Sequence, residues 1–284
     1  MISWRTQYIK IYLQKMAIHF NKRKSQEDCE RYICEAEQMS PNVKYEFTSL
    51  SLSQAQETEL REHLQVDAKG FYYNALVSFL QGIVSLRNNS ISWACVELYY
   101  SVYYSLRAQL AYHQYALIRK KGLYLLKVTQ GQSPIKKSNK KYNNDHGGAI
   151  NHFKDIFQDS DYLCSNNIDG KDFYDWLMDL RETTHYRNIT FNEPGQFDIL
   201  EKIILNVRKG KDAVKNLLAE FEGDWGSFCF AEEYAWLAGP YKKIQEVNLL
   251  YKSSNEHLDD EQIKYIGDLL SSLGLEDYKS TFIV

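Results

Sequence analysis

The stretch ISWACVELYYSVYYSLRAQL, residues 91–110, decides the fold class. Cys95, Leu98, Val102, Leu106 and Leu110 recur at intervals of three and four, the period that lines one face of an α-helix. Tyr99, Tyr103 and Ala111 make a second stripe beside the first, so apolar and aromatic surface wraps most of the circumference. A helix of this kind is covered on several sides and belongs at the centre of a bundle. Ser92 is placed to cap it, and with no Gly or Pro in the way it is expected to run to Leu117.

A second amphipathic helix precedes it, with Tyr72, Leu76, Phe79, Leu80, Ile83 and Leu86 on one face and a stop at Asn88-Asn89-Ser90. Upstream, weak helical patterns break at Ser40-Pro41-Asn42 and end in the polar run Ser53 to Gln65, which reads as peripheral. Downstream comes a basic stretch interrupted by Gly131-Gln132-Ser133-Pro134, a loop. Asp145 is then placed to cap a short helix burying Ala149, Ile150, Phe153, Ile156 and Phe157. Another helix, Phe173 to Asn188, turns Phe173, Trp176, Leu177 and Leu180 inward and stops at Asn192-Glu193-Pro194-Gly195. A long one is expected from Phe197 to Phe221. Five rings between Trp225 and Trp236 read as a packing patch, Gly239-Pro240 as a break, and Tyr241–Tyr251 and Asp259–Leu273 as two final helices. The architecture expected is all-α: an antiparallel helical bundle over residues 67–222, with helical extensions at 1–66 and 223–284.

Composition narrows the function classes. Only 14 Gly and 4 Pro stand among 284 residues, against 44% hydrophobic and 25% charged, which excludes collagen-like and disordered chains. A net charge of −3 gives no global field for nucleic acid, so any such contact needs a local patch. One exists: Arg119–Tyr142 holds eight of the 34 basic residues and none of the 37 acidic ones, and reads as a flexible arm for phosphates. The five cysteines contain no C-x-x-C pair, which fits a reducing compartment. No stretch approaches about 18 uninterrupted apolar residues, so a cytoplasmic protein with no membrane association is expected.

Signatures of P-loop, Rossmann, zincin and serine-hydrolase chemistry are all absent from the sequence. His146 and His152 are six apart, which is not a same-face spacing on a helix, so no metal site is expected. What remains is RETTHYRN, residues 181–188. Arg181 and His185 are four apart, and on a helix their guanidinium and imidazole converge on one phosphate. That pair permits RNA cleavage without metal or other cofactor: His185 moves a proton to or from a ribose or leaving oxygen, and Arg181 stabilises charge at phosphorus. Arg107 and His113 have a similar spacing but lie on the most apolar helix, where a structural role is expected.

Four segments in succession carry a resemblance: ISWACVELYYSVYYSLRAQL, then KKGLYLL, then NDHGGAINHFKDIF, then WLMDLRETTHYRN. Over about residues 67–222 the chain resembles the HEPN family, small helical bundles of prokaryotic toxin and defence proteins. The resemblance implies a metal-independent endoribonuclease, usually a homodimer, working in a toxin–antitoxin or antiviral system with an antitoxin or defence-complex partner. Arg181 matches the arginine of the family's Arg-x(4 to 6)-His motif and His185 its histidine, here with three residues between them and Glu182 after the arginine. RNA contacts are expected from Lys120, Lys121, Lys136, Lys137, His146, Tyr186 and Arg187. Two alternatives stay open: a non-catalytic adaptor subunit that kept the bundle and lost the spacing, and a nucleotide-binding module using Lys120, Lys121 and His146.

Overall fold

In the computed structural model, residues 22–39, 46–187 and 200–283 are described. The chain is all-α, with two small antiparallel hairpins between helices. Helix α1 is Lys24–Met39. Helix α2 is Gln54–Arg87, started by a capping box in which Ser53 and Gln56 satisfy each other's backbone N–H. Helix α3, Ile91–Tyr112, packs back along α2 after a turn that holds Asn89 at φ 62°. Both stripes read from its sequence are buried, Leu98, Leu106 and Leu110 completely and Tyr99 to 1% exposure.

The polar run Ser53 to Gln65 is therefore no separate element. It is the first part of α2, which passes without a break through the expected boundary at residue 66. Leu60, Leu64 and Ala68 there bury against Cys29, Tyr32 and Ile33 of α1, and they form a second, smaller core. The other wall of that core corrects the sequence reading. α3 stops at Tyr112, because Gln114 turns left-handed (φ 64°), and the chain continues as strand β1, Tyr115–Arg119, paired antiparallel with β2, Leu123–Lys127. Ala116, Ile118 and Leu126 of this hairpin are fully buried. Lys121 and Gly122, at φ 49° and 135°, close the turn. The basic stretch expected as a flexible arm is thus a hairpin fixed by its apolar face, with Ile135 bridged to Leu125 by two hydrogen bonds of 2.8 and 2.9 Å.

Helix α4, Asp145–Phe157, is capped by Asn144 rather than Asp145: the Asn144 side chain accepts from Gly147 N–H at 2.6 Å. The short strands β3, Asn167–Ile168, and β4, Lys171–Asp172, feed α5, Phe173–Glu182, where Asp172 accepts from Tyr174 and Asp175 N–H. A π-helical turn, Thr183–Arg187, extends α5. Its expected end at Asn188, the stop at Pro194-Gly195, the start at Phe197 and the break at Ser40-Pro41-Asn42 lie outside the described residues.

The single long helix expected next is two, α6 (Glu201–Val207) and α7 (Lys211–Gly223), because Gly210 sits at φ 129° between them. Helices α8 (Trp225–Phe230), α9 (Glu232–Lys252), α10 (Asp260–Leu273) and α11 (Lys279–Phe282) complete the chain. Gly239-Pro240 breaks nothing and lies within α9. The helix accepts the lost proline N–H because these residues are a contact surface: a Cβ on Gly239 would stand 2.2 Å from the Phe173 ring. Ala235, Trp236, Tyr241 and Ile244 of α9 are fully buried in the same cluster as the inner face of α3. The segment after Gly223 therefore forms part of the main core. Among the described residues no helix is long and apolar enough to cross a membrane.

Candidate active site

Period and burial set the site on the tyrosine face of α3. Tyr99 and Tyr103 are held at 1% and 6% exposure, while Tyr100 and Tyr104, one position on in each turn, stay half-buried and make the outer edge. α4 brings His146 to these rings. Its imidazole lies 4.4 Å from the Tyr103 ring, 5.5 Å from Tyr100 and 5.7 Å from Tyr99, and Nδ1 is 3.0 Å from the Tyr99 hydroxyl. Gly148 lets α4 sit against β2 and the Tyr142 backbone, since a Cβ there would stand 2.8 Å from Leu123 and from the Tyr142 carbonyl. α5 delivers Arg181 from the other side, its guanidinium 5.1 Å above the Tyr99 ring and 5.8 Å above Tyr100. Arg107 closes the row, 5.7 Å from the Tyr103 ring and 4.1 Å from Phe71, with no carboxylate partner among the described residues.

Sequence reasoning paired Arg181 with His185. The structure places His146 on the rings that Arg181 covers and sets His185 edge-on to Trp93, ring centres 5.1 Å apart. The cause is direction. The segment from 181 to 185 meets α3 first at Tyr99 and Tyr100 and then at Trp93, so it runs opposite to α3, and the π-helical turn carries His185 toward the start of that helix. Arg181 thus lies between two histidines along one face of α3. Glu182, whose charge stands beside the motif, pairs with Arg187 at 3.0 Å, and Asp179 takes the same guanidinium at 3.4 Å. Arg187 is therefore held by carboxylates on its own helix. The side chain of Tyr186 lies outside the described residues.

Electrostatics set the proton inventory. Burial, then the positive charge of Arg181, lowers the pKa of His146, with Asp145 opposing and Arg107 adding to the fall. The ring is neutral at neutral pH and able to take a proton. Burial holds the Tyr99 phenol well above its ordinary pKa, so it stays protonated. When Nδ1–H donates to the Tyr99 hydroxyl oxygen, Nε2 keeps the lone pair that can take a proton. The arrangement can therefore bind an anion through arginine, present a neutral histidine beside it and line the approach with aromatic rings.

The expected lysines lie in the hairpin turn and in the segment that follows β2. Lys120 lies 4.8 Å over the Phe47 ring, and Lys136 donates to the Lys121 carbonyl at 2.9 Å. Lys137 pairs with Asp155 at 2.6 Å, and Arg119 with Asp145, the neighbour of His146. These bonds tie the basic hairpin to α4 at the edge of the tyrosine face. His113 caps the end of α3 against the Phe157 ring at 5.1 Å, and Arg107 belongs to the site instead.

Two features went unread in the sequence. Asp28, Glu59 and His63 put three ligand atoms within 4.8 Å of one another, the one such group among the described residues. Arg31 already bridges both carboxylates, at 3.2 and 2.7 Å, so a cation fills that position. His152 is fully buried beside Tyr142, ring centres 4.8 Å apart, and among the described residues neither ring nitrogen has a hydrogen-bond partner. Glu59 and His63 are four apart on α2, a spacing visible in the sequence, but Asp28 and Arg31 reach them only through the packing of α1 on α2. Comparison of the chain with models of known protein families, with curated proteins and with solved structures finds no match.

Proposed function

We propose that the chain is a metal-independent endoribonuclease of HEPN type, a cytoplasmic homodimer acting with an antitoxin or other partner protein in a prokaryotic toxin–antitoxin or antiviral system. The observation that carries this reading is Arg181 set between His146 and His185 on the tyrosine face of α3. Cleavage of RNA needs a base to take the proton of the ribose 2′-hydroxyl and an acid to give one to the departing 5′-oxygen. Attack of the 2′-oxygen on phosphorus forms one P–O bond and breaks another, leaving a 2′,3′-cyclic phosphate and a 5′-hydroxyl. In this reading the neutral His146 takes the first proton, His185 supplies the second, and Arg181 stabilises the charge that gathers on the phosphoryl oxygens. The hairpin lysines bring the RNA backbone to the edge of the site.

Burial of Arg181, only 9% exposed, favours a second reading. An arginine packed over two tyrosine rings also serves as a structural cation, and the chain is then an adaptor that kept the bundle without the chemistry. Incubation of transfer and messenger RNA with the protein in EDTA separates the two. Cyclic-phosphate ends that appear with wild type and vanish with Arg181→Ala and Arg181→Lys support the nuclease. Intact RNA across a range of dimer-forming concentrations, with Arg181→Ala lowering only the melting temperature, supports the adaptor.

A further inference from the structure

A groove of about 620 Å³ lies between the start of α1, the middle of α2 and the start of α10. Its size falls within the range of about 300–1,000 Å³ typical of small-ligand sites. Its floor is Gly70. A Cβ built there would meet nothing within 4 Å, so no packing contact requires glycine at this position. Glycine inside a helix lowers helix stability relative to alanine or leucine, and here nothing in the fold compensates for it. A bare patch of helix backbone on a groove floor is what a flat ring needs in order to lie close.

The walls say what kind of ligand. Lys22 and Lys24 are exposed on one side, with Arg23 between them. Of the two carboxylates in the lining, Asp67 is consumed at the start of α1, accepting from Lys24 N–H at 2.8 Å, Ser25 N–H at 3.0 Å and the Ser25 hydroxyl. Its charge still acts on Arg23, so Asp67 and Glu27 together oppose Lys22, Arg23 and Lys24, and the groove keeps an excess of one positive charge. The Lys69 ammonium is matched by Glu256 at 2.9 Å and adds no net charge. Opposite the cations, Tyr73 offers a ring and Asn74 an amide. Gln262 has its Oε1 engaged in capping α10, which leaves its Nε2 donor for a ligand. Cations at one end and a ring with amides at the other describe an anion that carries a flat, hydrogen-bonding heterocycle.

We propose that this groove binds a nucleoside phosphate, with the base over Gly70 beside Tyr73 and the phosphates on Lys22 and Lys24. Arg23 links the groove to the tyrosine face: it also lines a cavity of about 30 Å³ under Tyr103 and Arg107. Burial, then the like charge of Arg107, lowers the Arg23 pKa to about 10. A phosphate in the groove relieves that repulsion, so occupancy raises stability. The site does not depend on RNA cleavage and stands or falls separately from it.

Calorimetric titration of the full chain with ATP, GTP, adenosine and tripolyphosphate tests the assignment. Saturable binding is expected for ATP or GTP, with adenosine and tripolyphosphate each weaker by about tenfold or more. Lys22→Glu with Lys24→Glu should weaken the nucleotide by a similar factor. Gly70→Leu should abolish binding while raising the melting temperature, a combination that unfolding cannot mimic. The proposal is overturned if neither nucleotide binds at millimolar concentration or if Gly70→Leu leaves binding intact. Tripolyphosphate binding as tightly as ATP overturns it too, since that result describes an anion patch with no place for a base.

Discussion

At the scale of single residues, the two histidines of α4 separate by environment. His146 is hydrogen-bonded and borders the tyrosine rings; His152, six positions on, is sealed in with no partner for either nitrogen among the described residues. Burial, then Lys137, lowers the His152 pKa to about 4, against the opposing pull of Asp155. An unfolded chain binds a proton at this residue below about pH 6.5, whereas the folded one does so only near pH 4. The unfolded state therefore holds more protons in that window, and stability falls as pH drops through it, by about 3 kcal/mol in all. His152→Phe should flatten the urea midpoint between pH 6.5 and 4 relative to wild type; an unchanged slope would show that His152 is not the group responsible. For His146 the same physics predicts an acid limb of the cleavage rate below the ordinary histidine value of about 6.5, because its base form persists to lower pH. A pH–rate profile checks this. His146, Arg181 and His185 were all legible as polar residues in an aromatic neighbourhood. That His146 shares the tyrosine rings with Arg181 was not, because it depends on α3, α4 and α5, which are distant in sequence, packing together.

At the scale of elements, the helices of the core were legible wherever burial repeats with a helical period, as in α3 and α10. Reading failed where a local signal was overruled by packing. Gly239-Pro240 is a strong breaker on its own, yet the Phe173 ring needs the missing side chain, and α9 carries on. Gly239→Ala should cost about 1–3 kcal/mol by overpacking, and Phe173→Leu in the same chain should recover part of it in a double-mutant cycle read by urea unfolding. Costs that simply add would mean the two residues do not meet. The hairpin of β1 and β2 was missed for a different reason. YALIR and LYLLK flank Lys120-Lys121-Gly122, a glycine-containing turn between two apolar runs, but the clustered lysines drew the reading toward a solvated arm. Charge content alone misleads because the strands bury both faces, Ala116, Ile118 and Leu126 in the smaller core and Leu117 and Leu123 in the main one, while the cations sit at the strand ends and the turn.

At the scale of the whole molecule, α9 threads the main core and carries its most buried charge. Lys243 donates to Asp161 at 2.7 Å, Glu246 at 2.6 Å and Gln109 at 2.7 Å, and Tyr174 donates to Asp161 at 2.6 Å, so α3, α5 and α9 meet in one polar knot. Burial works against the Lys243 charge, but Glu246 and Asp161 outweigh it and the pKa is raised. Lys243→Met strands the buried Asp161 without its cation, while Glu246 keeps Lys242 at 3.7 Å; the loss is about 3–5 kcal/mol, and denaturant titration should show a corresponding fall in midpoint. No heptad or motif announces this knot, because its members are scattered along the chain. The tyrosine face is the other feature that only assembly creates, and the functional account rests on it. Its most direct test is the rate of RNA cleavage in EDTA by wild-type protein beside His146→Ala and His185→Ala, each variant first shown to melt near the wild-type temperature. The account predicts that each histidine change lowers the rate by about a hundredfold or more. Cleavage by His146→Ala at the wild-type rate would contradict it.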